Sequence, residues 1–160
     1  MGARQFVTFR LGDHFLGLDV LEVREINRVL ETTPVPPAPA FVRGLINLRG
    51  QVITVLDLGV RLGLAPLEIT PETHNVILKA DRVGLLVDAI GDVATVEENE
   101  IEAPPANLVG LEDELINGVV QLEGELLVIL DAAKVLEHRA GQAPDQAAGP
   151  RPGKKGNSDL

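Results

Sequence analysis

The stretch GLINLRGQVITVLD, residues Gly44 to Asp57, recurs as GVVQLEGELLVILD, residues Gly118 to Asp131, at a constant offset of 74 and without a gap. Five of the fourteen positions are identical, and most of the others exchange one apolar residue for another. In each copy two short apolar runs, Leu45 to Leu48 with Val52 to Leu56 and Val119 to Leu122 with Leu126 to Leu130, flank a three-residue break. Arg49-Gly50-Gln51 and Glu123-Gly124-Glu125 are therefore read as tight turns between strands, with Gly50 and Gly124 supplying the backbone freedom the turns need. Gly44 reads as backbone-driven in the same way. The Asp that closes each copy precedes a short amphipathic run, so Asp57 and Asp131 are expected to cap helices over Leu58 to Leu64 and Ala132 to His138.

Outward from this repeat, a fainter echo pairs Gly17 to Val20 with Gly84 to Val87 at an offset of 67, followed by Glu25-Ile26 against Asp92-Val93. Phe6 to Leu11 and Phe15 to Val20 form a predicted hairpin about Gly12-Asp13. Val76 to Leu78 and Val83 to Val87 form the matching one about Asp81-Arg82. Pro34 to Pro39 and Pro66 to Asn75 read as connections, since Pro breaks a strand ladder. Two short-stranded units of one plan are most economically two small barrels packed together, about residues 5–65 and 66–138, with exchange of strands between them allowed. Residues 139–160 hold almost no large apolar side chain and are expected to form a disordered Pro/Gly/Lys tail.

Composition excludes several chemistries. The 160 residues contain no Cys, Trp or Tyr and a single Ser, Ser158, near the end of the tail. Thiolate nucleophiles, disulfides and Cys-based zinc sites are thus absent, and a Ser-based triad has nothing to build on. His14, His74 and His138 share no ligand spacing. No cofactor and no metal site is expected. The apolar runs are too short to span a bilayer, so no direct membrane insertion is expected, and a cytoplasmic location is the default.

Charge is unevenly distributed. Met1 to Ala65 carries a net +1, Pro66 to His138 a net −13 and Arg139 to Leu160 a net +2, for a total of −10. Nucleic acid is a poor partner for such a chain, because phosphate neutralisation needs clustered Lys and Arg. The acidic crowd Glu97, Glu98, Glu100, Glu102, Glu112, Asp113 and Glu114 reads as a solvated loop or a surface selecting a basic partner, and no twelve-residue calcium loop fits it. Asp57 with Asp131 could be imagined as a glycosidase-like acid and base, but their equivalent places in the repeat favour capping. A ligand-binding barrel module would lack the aromatic platform such sites use.

Phe41 to Gly50 with Val52 to Asp57, and Gly17 to Ile26, resemble the CheW family of chemotaxis coupling proteins; Val83 to Asp88 and Gly118 to Asp131 agree. The resemblance covers roughly Arg4 to His138. It implies an all-β fold of two SH3-like five-stranded barrels with short helices. It implies a non-catalytic adaptor that joins the cytoplasmic hairpin tip of chemoreceptors to the regulatory domain of the CheA histidine kinase, in membrane-associated arrays. CheW-like proteins also serve gliding or twitching motility, the alternative reading. No kinase segment accompanies the repeats, which favours a stand-alone coupler.

Within that frame Arg49 is the leading partner-binding candidate. Its repeat equivalent is Glu123, so the turn itself does not demand Arg. A planar guanidinium suits carboxylates and carbonyls, though a cation at an exposed turn is also simply solvated. Asn47 is read as holding the turn by side-chain to backbone bonding, or as a contact. Glu25 matches a family position implicated in receptor contact; a solvent-facing strand carboxylate is the plainer reading. Val23 and Val93 match apolar positions of the family's receptor groove between the barrels, and either could equally be core.

Overall fold

The computed structural model describes residues 2–28, 32–34, 39–105 and 111–141, with side chains as far as Glu137. Among the described residues ten strands occur in chain order: β1 (Ala3–Leu11), β2 (His14–Asp19), β3 (Val23–Arg28), β4 (Val42–Leu48), β5 (Gln51–Asp57), β6 (His74–Leu78), β7 (Val83–Val87), β8 (Ala89–Glu97), β9 (Ile116–Leu122) and β10 (Glu125–Leu130). Helix α1 (Leu58–Arg61) follows β5 and α2 (Ala132–Gly141) follows β10. The strands form two five-stranded sheets, β8-β1-β2-β10-β9 and β3-β6-β7-β5-β4. This is the all-β fold with short helices that the sequence led one to expect.

The sheets are not the two halves of the chain. A cut near residue 65 separates β3, β4 and β5 from their sheet partners β6 and β7, and separates β1 and β2 from β8, β9 and β10. The exchange is symmetric. Parallel pairing sets Val55 against Gly84 in one sheet and Ile129 against Gly17 in the other. Val55 and Ile129 are related by the offset of 74, and Gly17 and Gly84 by that of 67. Each repeat thus lends its first hairpin to the other, in the same register.

Side-chain alternation explains how the units pack. On β1, Phe6 points into a small core with Val96, Val120, Leu127 and Ile129. Its neighbours Val7, Phe9 and Leu11 belong to a large core that includes Ile53, Leu56, Val76, Ile77 and Leu85. The same parity holds on β10, where Leu127 and Ile129 face the small core and Val128 and Leu130 the large one. One face of the first sheet wraps its own interior and the other packs on the second sheet, which makes the units interdependent.

The turns and caps follow from local chemistry. Arg49-Gly50 adopts φ +51 and +85, and Glu123-Gly124 φ +48 and +83, closed by Leu48 opposite Gln51 and Leu122 opposite Glu125. These are two-residue turns with both central residues left-handed, the form that matches strand twist. Gly44, at φ +150, lies under the backbone of Thr33, which bridges Leu45.

Several boundaries differ from expectation: β1 and β4 begin three residues early, at Ala3 and Val42, and Val20, expected at the end of a strand, opens a 3-10 turn (Val20–Glu22) capped by Asp19. Helix α1 stops at Arg61 rather than Leu64, because Gly63 takes φ +97, Gly63 N–H donates to Val60 O at 3.0 Å and Leu64 N–H to Gly59 O at 2.7 Å. That is a glycine-terminated helix end. Helix α2 continues through Arg139, Ala140 and Gly141, three residues that composition places in the tail; residues 142–160 lie outside the described part. Strand β6 takes in His74 and Asn75, which the sequence pattern places in the preceding connection.

Candidate functional site

Strands β3 and β4 are the two edges of the second sheet. Where they fail to pair by backbone, side chains from β3 reach the β4–β5 turn. Arg49 Nη2 donates to Glu25 Oε2, and Arg24 Nη1 donates to Gln51 Oε1 at 3.0 Å. Arg24 Nε also lies 3.8 Å from Glu25 Oε2. Two cross-seam links therefore latch the open edge of this barrel. The Arg49 side chain remains 63% exposed while Glu25 is 23% exposed, so the guanidinium keeps donors free for a second acceptor.

The expected residues fall into three places. Glu25, Arg49 and Asn47 come together: Asn47 Oδ1 accepts from Gly50 N–H at 3.0 Å, which fixes the turn that presents Arg49. Val23 stands on β3 two residues before Glu25, half-buried against the large core. Val93 stands on β8 of the other sheet, 54% exposed, in a cleft with Asp92 and Glu123. Beside the latch, Val52 pairs with Asn47 across the hairpin and is 53% exposed. Sequence reading missed Arg24, Gln51 and Val52; Val52 sat inside an apolar run whose strand alternation turns it outward.

Asp57 and Asp131 cap helices, and only one of them is buried. Asp57, 1% exposed, accepts from Val60 N–H at 3.2 Å and Leu67 N–H at 2.9 Å, with Arg43 Nε 3.5 Å away. Asp131 Oδ1 accepts from Lys134 N–H at 3.1 Å. Each oxygen of Asp57 accepts from a backbone N–H, the capping arrangement that its place in the repeat suggests. Arg61 ties α1 to α2, donating to Val135 O at 3.2 Å and Lys134 O at 3.1 Å. Burial pushes its guanidinium pKa down, with Glu112 and Glu114 acting in the opposite sense.

No described helix is long and apolar enough to cross a membrane. A family model for the CheW-like domain matches residues 5–140. The chain is 37% identical over 147 residues to a chemotaxis protein CheW of Bacillus subtilis, covering 89% of this chain and 94% of that one. It is 36% identical over 146 residues to the chemotaxis protein CheW of Rhizobium meliloti, covering 89% and 93%. Protein FrzA of Myxococcus xanthus is 30% identical over 138 residues, with 84% and 86% covered. The crystal structure of the scaffolding protein TtCheW from Thermoanaerobacter tengcongensis superposes with a TM-score of 0.75 at 29% identity, covering 82% of this chain and 86% of that one. By its repeats, its paired five-stranded sheets and these matches, the chain belongs to the CheW-like family.

Proposed function

We infer that this chain is a non-catalytic adaptor coupling the cytoplasmic tip of chemoreceptors to a CheA-type histidine kinase, within membrane-associated receptor arrays. The observation that carries the reading is the Arg49–Glu25 latch. It sets an exposed guanidinium at a fixed turn whose hairpin also carries the exposed Val52, and ties that turn to the strand that carries the half-buried Val23. A cation fixed beside apolar side chains suits a helical hairpin tip, whose residues dock as anchors at helical spacing. Glu25 serves this surface by orienting Arg49, and Asn47 by holding the turn. Similarity to FrzA favours a second reading, in which the array served is one for gliding or other motility rather than flagellar chemotaxis.

The test is reconstitution of receptor tip, kinase and this protein, with kinase activity and binding of each partner measured for wild type and Arg49→Glu. The substitution places two carboxylates across the seam, and coupling is lost while the melting temperature stays nearly unchanged. Undiminished binding of both partners by Arg49→Glu would overturn the assignment of Arg49.

A further inference from the structure

The internal symmetry that relates the two barrels also relates their seams, and the second seam is unlatched. The residues equivalent to Arg49 and Glu25 are Glu123 and Asp92, two carboxylates. The residues equivalent to Gln51 and Arg24 are Glu125 and Gly91, a carboxylate facing a residue with no side chain. Neither cross-seam link of the second sheet can form in the first. Glu125 turns instead to Arg10, whose Nη1 and Nη2 donate to its two oxygens at 2.8 and 2.9 Å while the guanidinium lies 4.5 Å over the Phe15 ring.

What remains at this position is an open cleft of about 490 Å³ at the mouth of the first barrel, beyond the small core. Phe15, Val93, Ala94 and Leu122 supply apolar walls, and Val93 is 54% exposed. The charged lining is Arg10 with Asp92, Glu123 and Glu125, two negative charges in excess.

We propose that this cleft is a second docking surface, whose occupant is an extended protein segment presenting an arginine flanked by apolar side chains. The arginine sits between Glu123 and Asp92 as Arg49 sits against Glu25, and the flanking side chains cover Val93 and Leu122. Charge complementarity selects the cation, and the planar fork of arginine suits paired carboxylates better than a lysine point charge. The surface belongs to the other seam from Arg49; it takes in Val93, an apolar position that the family resemblance places in the receptor groove, while its arginine site, Glu123 with Asp92, uses no residue of the Arg49 seam.

The experiment titrates the isotope-labelled full chain with the peptide acetyl-VTRVT-amide, with acetyl-VTEVT-amide and with guanidinium chloride, following amide resonances. The arginine peptide shifts Asp92, Val93, Glu123 and Glu125 saturably, and the glutamate peptide leaves them in place. Guanidinium chloride at matched concentration gives a weaker, unsaturated response. Glu123→Arg builds the missing latch and abolishes the arginine-peptide shifts; Arg49 holds the same backbone conformation in the other hairpin, φ +51 against +48, so the variant folds. Asp92→Asn weakens the shifts without altering the turn. Shifts that persist in Glu123→Arg, that centre on Glu98 and Glu100, or that fail to saturate would overturn the proposal.

Discussion

Arg49 meets Glu25 from a left-handed backbone position, φ +51, that its turn would accommodate with less strain as glycine. Left-handed backbone costs a non-glycine residue roughly 1–2 kcal/mol. An exposed ion pair returns only about 0.2–1 kcal/mol. Stability alone therefore does not account for an arginine here.

Arg49→Gly accordingly leaves global stability within about 1 kcal/mol of wild type, because relief of strain offsets loss of the ion pair. Arg49→Ala, which keeps the strain and loses the pair, is the less stable of the two. Urea unfolding midpoints at equal slope measure both. Partner binding falls in both variants alike, which separates the residue's use from its contribution to folding.

Gly44 and Gly50 separate in the same assay. A Cβ at Gly44 would collide with Thr33 O and come within 2.8 Å of Thr32 Cγ2, whereas one at Gly50 meets nothing within 4 Å. Gly50→Ala suffers only from its φ of +85 and loses about 1 kcal/mol. Gly44→Ala must displace backbone and loses roughly 3 kcal/mol or more. Gly118→Ala falls between them, since its Cβ would lie 2.8 Å from Ile101 Cγ2 and 3.0 Å from Glu102 O.

Those glycines show which parts of the fold are legible in a sequence. Gly44 and Gly118 recur in the repeat because a segment outside the strands, bridging by a single residue, Thr33 against Leu45 and Glu102 against Val119, passes over each. The recurrence is visible in the sequence; the overpassing backbone is not. Exchange of strands between the units is allowed by the sequence, but which strands exchange is not legible, because β5 with β7 and β10 with β2 pair in parallel, and apolar alternation does not say which neighbour a strand chooses. Arg49 could be singled out by its charge reversal to Glu123. Its latch to Glu25 and the missing second latch needed both offsets applied together, which only the barrel closure makes meaningful. Gly63 was readable as a helix end but lay inside an apolar run that hid it.

Asp57 and Asp131 read alike in the repeat and differ in burden. Asp131→Ala loses one exposed cap, about 1 kcal/mol. Asp57→Ala removes the cap, strands the buried Leu67 N–H and leaves Arg43 without its carboxylate, for a loss of roughly 3 kcal/mol. Thermal unfolding of the two variants measures the difference, and Asp57→Asn recovers part of it by keeping one acceptor.

Arg10 and Glu125 give the cleft a titration signature. The side-chain hydrogen bond from Arg10 holds the Glu125 carboxyl below its ordinary value, and the same bond raises the Arg10 pKa. A carboxyl depressed in the folded state contributes stability above its unfolded pKa, and that contribution disappears as pH falls through the depressed value. Glu125 is exposed, so solvent screening keeps the stability effect small and the resonance itself is the better readout. Carboxyl carbon shifts followed across the acid range place the Glu125 midpoint below the ordinary glutamate value. In Arg10→Gln the guanidinium is gone and the midpoint returns to the ordinary range, whereas Arg24→Gln, in the other barrel, leaves it where it was.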